Sequence, residues 1–131
     1  MKGERRWGNS QTEPANVDYK DREAWNQSME LVEDVYRFTK VFPPEELYGL
    51  SSQLRRSAVS IPSNLAEGSA RRSRKELANF LGIALGSAAE LETQLLISAR
   101  LGYGGANDTL LQLNRVRSLL FGLRNRQLSD A

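Results

Sequence analysis

Apolar residues recur at helical spacing in four segments of the chain. In the first segment, Trp25, Met29, Val32, Tyr36 and Thr39 lie three or four residues apart, which puts them along one face of an α-helix. The later segments repeat this spacing, in chain order, at Leu47, Leu50, Leu54, Ala58, Ile61 and Leu65; at Leu77, Leu81, Ala84, Ala88, Leu91 and Leu95; and at Leu110, Leu113, Val116, Leu120 and Leu123. No segment shows the alternation of a strand, so the pattern predicts an all-α protein.

Prolines shape the second predicted helix. The first helix is predicted over about residues 21–40 and ends before Pro43, because proline cannot continue the hydrogen-bond ladder. Pro44 is predicted at the first position of the second helix and Gly68 just after its end. Pro62 lies inside this helix. Because the apolar spacing persists beyond it, we predict a kink at Pro62 rather than a helix end.

The third and fourth helices complete a predicted bundle. Ser73 and Glu76 have the spacing of a capping box at a helix N-terminus, and this third helix should extend to Leu101. Asn107 or Asp108 is predicted to cap the fourth. Short turns make successive helices antiparallel. The sequence therefore predicts one up-down-up-down four-helix bundle over residues 21–126, with a mobile tail at residues 1–20 and a frayed C-terminus at residues 127–131.

The composition excludes several kinds of chemistry. The chain has no cysteine and no histidine, so it can build neither a thiolate nucleophile nor a Ser-His pair, and zinc sites made from these residues are excluded. A carboxylate-only Mg²⁺ or Ca²⁺ site stays open, but no set of inward carboxylates indicates one. No catalytic group is marked out by its neighbours. We therefore predict a non-enzymatic protein without cofactor or metal.

The sequence also gives an expectation about location. No stretch approaches the roughly 20 apolar residues that cross a bilayer. The first 20 residues are polar and lack the apolar region of a secretory signal. We expect a cytoplasmic protein that does not contact a membrane.

The positions of the charged residues are more informative about function than the formal net charge of +2. An up-down-up-down bundle brings the N-terminal tail, the turn between helices 2 and 3 and the C-terminus to one end. The basic residues predicted there to bind nucleic acid or phosphate are Arg71, Arg72, Arg74, Lys75, Arg124 and Arg126. Four bases at the start of the third helix oppose the helix dipole, and such departures often mark function. The alternative is a solvated turn, and bases at a helix C-terminus are favourable in any case.

Two further groups of residues have structural interpretations. Arg55 and Arg56 lie midway along the second helix, and Glu90 and Glu92 lie midway along the antiparallel third helix, so a cross-helix arginine–carboxylate pair is predicted. Gly82 and Gly86 share a face of the third helix. Glycine costs about 1 kcal/mol inside a helix, which suggests close packing, and with the surplus of apolar positions it predicts a homo-oligomer. The alternative is a monomer with a generous core.

Three parts of the chain resemble a known family. They are the run YGLSSQLRRSAVSIPSNLAEG at residues 48–68, the run ALGSAAELETQL at residues 84–95, and the apolar and proline positions of residues 24–43. Over roughly residues 18–125 the chain resembles the four-helix bundle family first noted in intervening sequences of large-subunit (23S) ribosomal RNA genes. That family is similar to the accessory variability protein of diversity-generating retroelements. The resemblance implies a pentameric barrel with a basic surface, nucleic-acid binding and association with a reverse transcriptase.

Two functional hypotheses stay open at this point. The first is a homo-oligomer that binds RNA or DNA through its basic end. The second is a protein-interaction scaffold, such as an accessory subunit of a reverse transcriptase, which does not itself bind nucleic acid.

Overall fold

The computed structural model describes residues 19–129, and within this range it contains helices and no strand. The four α-helices are α1 (Tyr19–Thr39), α2 (Leu50–Ser69), α3 (Arg74–Arg100) and α4 (Asn107–Ser129), with a short 3₁₀ turn, Pro44–Glu46, between α1 and α2. Each helix packs against its neighbours in chain order, and α1 also packs against α4. The predicted all-α, antiparallel four-helix bundle is therefore confirmed.

In α2, α3 and α4 the core consists mostly of apolar positions that the spacing predicted. In α1 it is formed largely by a neighbouring stripe with Leu31 and Val35, whereas the predicted Met29 and Tyr36 are 37% and 43% exposed. The largest fully buried apolar side chains are Leu31, Val35, Leu54, Ile61, Leu65, Leu81, Leu91, Leu95, Leu113, Val116 and Leu120. Every helix contributes at least two of them, so the four apolar faces meet in one cluster. Burial of each such side chain contributes about 1.5–3 kcal/mol relative to exposure.

The start of the second helix differs from the prediction. Pro44 begins the 3₁₀ turn, whereas α2 begins at Leu50. The Glu46 side chain explains the later start, because its Oε1 accepts a hydrogen bond from the Leu50 backbone N–H at 3.1 Å. This contact satisfies a donor that would otherwise lack a partner in the first turn of α2.

The interior and end of α2 combine a confirmed prediction with a corrected one. The helix continues through Pro62, as predicted, and ends at Ser69, while the kink angle stays a prediction. Gly68 does not follow the helix end; it is buried inside α2, and Ala70 is the C-cap. A Cβ on Gly68 would lie 2.7 Å from the Cβ of Phe80. The glycine is thus required by the close approach of α2 and α3.

The ends of α3 and α4 follow from local hydrogen bonds and backbone angles. Ser73 Oγ accepts the Glu76 backbone N–H at 3.0 Å, as the capping box predicted. After α3, Gly102 and Gly104 adopt positive φ angles of 79° and 118°, a conformation that glycine adopts without strain. The fourth helix includes Asn107 in its first turn and continues to Ser129, three residues past the predicted boundary. The predicted mobile tail lies outside the described residues, apart from its last two positions, which begin α1.

Helix α3 is both long and apolar. Among residues 19–129, it alone is long and apolar enough, by length and composition, to cross a membrane, with a mean hydropathy of 1.3 over an 18-residue window. This is weak evidence for a membrane span, because the core helix of a soluble bundle passes the same test. Only 33% of that window is buried, however, so much of its apolar surface lies outside the core.

Candidate nucleic-acid interface

Three parts of the chain meet at one end of the bundle, as the topology predicted. An ion pair of 3.5 Å joins Arg126, near the end of α4, to Asp21, in the first turn of α1. The Nε of Arg124 donates to the backbone carbonyl of Ala78, near the start of α3, at 3.3 Å. We call this region the basic end and define it by the six predicted cations, Arg71, Arg72, Arg74, Lys75, Arg124 and Arg126.

The Arg71 side chain contacts two neighbouring side chains. Its guanidinium forms a 3.0 Å ion pair with Glu67, one turn earlier, and its Cζ lies 5.1 Å from the centre of the Phe80 ring. Both side chains of the ion pair are exposed, so the pair adds little stability. Together these contacts engage the Arg71 guanidinium and cover the Phe80 ring.

Gly82 and Gly86, which were predicted to pack between copies, differ in their surroundings. A Cβ on Gly82 would lie 3.4 Å from Arg124 Nε, which is an ordinary van der Waals distance, so Arg124 lies beside Gly82 as it reaches the Ala78 carbonyl. A Cβ on Gly86 would meet nothing within 4 Å. The packing of these two glycines between copies stays a prediction.

The other three cations of the basic end project from the turn. Arg72, Arg74 and Lys75 are all exposed, and they lie at or next to the N-terminus of α3. Arg72 and Lys75 form no ion pair with any residue between 19 and 129. The carboxylates of Glu67 and Glu76 lie nearby, yet cations outnumber carboxylates across the basic end. Long exposed cations of this kind can contact phosphate groups without reading the bases.

The predicted arginine–carboxylate pair between α2 and α3 is wrong. Arg55 faces α1 instead: its Nε donates to Thr39 Oγ1 at 2.8 Å, and its Cζ lies 4.6 Å from the centre of the Tyr36 ring. Glu92 faces α4, where it pairs with Arg117 at 3.1 Å. The remaining members of the predicted set, Arg56 and Glu90, are exposed.

Close packing of α2 on α3 is the reason that no such pair forms between them. The hydroxyls of Ser60 and Ser87 are hydrogen-bonded at 2.7 Å across this contact, and Gly68 meets Phe80 directly. Small side chains bring the two backbones together and leave no room for an arginine between them. The charged residues therefore lie at the edges of the contact or turn towards other helices.

Arg117 has a structural role that the sequence did not indicate. Besides pairing with Glu92, it donates to the Ala88 backbone carbonyl at 3.2 Å. Arg117 and Arg124 are seven residues apart, so they lie on the same side of α4, and both donate to carbonyls of α3. The seven-residue spacing was the only signal of this role in the sequence.

The described surface includes grooves but no cluster of metal ligands. Between residues 19 and 129, no group of three His, Cys, Asp or Glu residues could hold a metal ion. One groove of about 340 Å³ runs between α1 and α2 and is mostly apolar. A second, of about 550 Å³, lies between α1 and α4 and includes Glu23 and Arg115. Neither groove touches the basic end's six cations.

The fold and its charged end define an antiparallel four-helix-bundle protein with exposed cations at the turn between its second and third helices. The family model of the 23S rRNA-intervening sequence proteins matches residues 20–122. The chain belongs to this family, and the resemblance noted from residues 24–95 is confirmed.

A solved structure supports the same fold. The chain is similar to a protein of unknown function from the S23 ribosomal protein family of Bacteroides thetaiotaomicron VPI-5482, with a TM-score of 0.74 and 24% sequence identity. The match covers 81% of this chain and 98% of that one, so both bundles have nearly the same extent. Identity at this level shows the fold alone. No match was found among curated proteins.

Proposed function

We propose that this chain is a non-enzymatic, self-associating bundle whose basic end binds the phosphate backbone of a nucleic acid. The observation that carries the proposal is the exposure of Arg72, Arg74 and Lys75 at one turn. They surround the N-terminus of α3, where backbone N–H groups and the helix dipole already favour anions.

The neighbouring cations limit how many contacts the basic end can make. Arg71, Arg124 and Arg126 each have a partner within the chain, whereas Arg72 and Lys75 form no ion pair with any described residue, so these two are the main candidates for phosphate. Phe80 lies under the Arg71 guanidinium, whose Cζ is 5.1 Å from the ring centre. Base stacking there would require Arg71 to move. We therefore expect binding that depends on charge and not on base sequence.

RNA is the nucleic acid that we favour. The family description refers to 23S rRNA, and the Bacteroides protein is described as a member of a ribosomal protein family. These names concern the location of family genes and the relative's classification, so they support RNA without identifying a particular sequence.

A matched pair of double variants tests the proposal. Arg72→Ala/Lys75→Ala removes two charges from the basic end, whereas Lys40→Ala/Arg100→Ala removes two exposed charges from the opposite end. Binding of a fluorescent single-stranded RNA should weaken by about tenfold in the first variant only. The slope of log affinity against log salt should fall by about two in the same variant.

The two variants also define the result that would reject the proposal. Equal affinities for the two variants and the original chain would mean that the turn does not contact RNA. An equal loss in both variants would indicate attraction to the net charge of the whole molecule instead of a site.

Self-association is supported by the apolar surface that the bundle leaves uncovered. Ile83, Leu96 and Ile97 of α3 are 52%, 49% and 42% exposed, although this helix lies in the core. A second copy would cover such a surface. Sedimentation equilibrium at micromolar concentration should give a mass several times 14.7 kDa, and a species of monomer mass throughout would refute self-association. The pentamer implied by the resemblance is one specific outcome.

The alternative is a protein-interaction scaffold, for example an accessory subunit of a reverse transcriptase. The apolar groove between α1 and α2 favours this function, because helical segments of other proteins bind in such grooves. Affinity purification after nuclease treatment distinguishes it. A stable, stoichiometric protein partner together with no RNA affinity would favour the scaffold.

A further inference from the structure

The bundle carries two apolar surfaces that no residue between 19 and 129 covers. The first is the groove between α1 and α2, whose lining includes Trp25, Met29, Val59, Pro62 and Ala66. Met29 and Val59 on its two sides are 37% and 40% exposed. The groove is therefore an open apolar channel along the boundary of two helices.

The second surface is the outer face of α3. Ile83, Glu90 and Ile97 are spaced by seven residues, so they form a line along this helix. The two isoleucines are 52% and 42% exposed. Gly86 lies between the first two, and its surroundings are open, so another backbone can approach α3 closely there. This surface protrudes, whereas the first is concave.

The charges beside the two surfaces are complementary. Arg56 is exposed on α2, one turn before Val59 in the groove, and Glu90 is exposed in the middle of the α3 line. Neither side chain forms an ion pair with another residue in the described part of the chain. On the α1 side of the groove, Glu33 is exposed and would repel a carboxylate. A helix that carries Glu90 into the groove would thus be drawn towards α2.

The two surfaces also match in height along the bundle. The Ser60–Ser87 hydrogen bond and the approach of Gly68 to Phe80 fix how α2 and α3 run past each other. Counting from the serine pair, Glu90 is level with Ser57 and hence with Arg56, and Gly86 is level with the turn of α2 that contains Pro62. A rotation about an axis parallel to the helices preserves these heights.

We propose that the outer face of α3 in one copy docks into the α1–α2 groove of the next copy, with Glu90 paired to Arg56 across the contact. The inference rests on the self-association proposed above and names its two surfaces. Because they differ, the contact is head-to-tail and repeats from copy to copy, which gives a closed ring when the rotation closes. Ile83 then enters the groove near Ala66, and Gly86 permits close approach at Pro62.

Charge reversal tests the pairing. Arg56→Glu places two carboxylates against each other, and Glu90→Arg places two guanidinium groups together, so each should raise the dissociation constant of the assembly by about tenfold or more. The double variant Arg56→Glu/Glu90→Arg restores opposite charges and should return to within about threefold of the original value. Sedimentation velocity over a concentration series measures all four proteins.

Two apolar variants test the position of the contact. Ile83→Asp should abolish association, whereas Leu111→Asp, which alters an equally exposed residue in the α1–α4 groove, should not. Phe121→Asp probes the α3–α4 side, where this ring is 48% exposed. Circular dichroism checks that each variant keeps its helices, which is expected because all three sites are on the surface.

The outcomes separate this inference from the self-association proposal. If the original chain is a monomer, both are rejected. If it assembles but the charge reversals have no effect, or if Phe121→Asp disrupts assembly and Ile83→Asp does not, the docking surfaces are wrong and self-association stands. Loss in both single reversals with recovery in the double variant supports the proposed pairing.

Discussion

The two ends of this bundle are held together in different ways. At the end opposite the basic end, the Phe42 ring packs edge-on against Phe38, with centroids 5.1 Å apart, and against Tyr103 at 5.0 Å. Tyr103 also donates a hydrogen bond of 2.8 Å to Glu46 Oε2. The loop before α2 and the loop after α3 are thus tied to each other and to the core.

Between residues 19 and 129, the basic end shows no comparable loop packing. There α2 and α3 are held by the direct approach of Gly68 to Phe80, and the connecting turn bears only exposed or partly exposed side chains. Among the described residues, loop side chains hold the helices together at one end, whereas the direct contact of α2 with α3 does so at the other.

Removal of the Phe42 ring, at the end opposite the basic end, should have the largest effect on stability. Phe42 is 7% exposed and contacts two other rings, so Phe42→Ala should lower the free energy of unfolding by about 3 kcal/mol. Urea denaturation followed by circular dichroism measures the change. Arg72→Ala serves as the control at the other end and should change it by no more than about 0.5 kcal/mol. Similar losses would contradict the difference between the ends.

A side chain at Gly68 should have an intermediate effect, at the basic end. Gly68→Val should lower the free energy of unfolding by about 2 kcal/mol. The new Cβ would lie 2.7 Å from the Phe80 Cβ, so α2 would have to move away from α3. The control is Gly122→Ala in α4, where a Cβ meets nothing within 4 Å. The free energy of unfolding of that variant should rise by about 0.5–1 kcal/mol, because alanine has a higher helix propensity than glycine. Equal stability of the two variants would mean that the close approach at Gly68 does not matter.

Loss of the Tyr103–Glu46 hydrogen bond should have the smallest effect on stability, and this effect should depend on pH. Donation from Tyr103, and secondly from the Leu50 backbone N–H, holds the pKa of Glu46 below its usual value of 4.5. The hydrogen bonds to the Glu46 carboxylate therefore stabilise the folded state fully at pH values above the usual pKa. This stabilisation is lost as the pH falls through the lowered pKa of the folded state.

Tyr103→Phe should accordingly be less stable than the original chain at neutral pH, and the difference should shrink as the pH falls below 4.5. Urea midpoints at several pH values measure it. Tyr48→Phe is the control, since Tyr48 is 92% exposed and should show no change at any pH. A Tyr103→Phe deficit that stays constant down to acidic pH would assign the effect to packing of the ring alone.

Periodicity predicted the helices and their order well, because the apolar faces of a bundle repeat at three and four residues. It predicted the shared basic end for the same reason, since topology alone brings Arg126 to Asp21. Periodicity could not predict contacts that depend on the direction in which a side chain points. Arg55 turned towards Thr39 and Glu92 towards Arg117, because a pair level with each other along two helices can still point to different neighbours.

The glycines show the same limit in another form. Gly68 reads as a helix terminator in the sequence and acts instead as a contact point inside α2. Gly82 lies beside Arg124, which the sequence did not indicate, and its packing against a second copy stays a prediction. Only the distance to Phe80 reveals the role of Gly68, because glycine has no side chain whose chemistry would indicate its neighbour.

The 3.5 Å ion pair between Asp21 and Arg126 also bears on how this chain can be rewired. It brings the first turn of α1 beside the last turns of α4, so a linker of a few residues would suffice to join them. A circular permutant opened between α3 and α4, where Gly102, Gly104 and Gly105 lie, would keep all four helix contacts. Domains fused to either helix end would emerge at the same pole, next to the turn that carries Arg72 and Lys75.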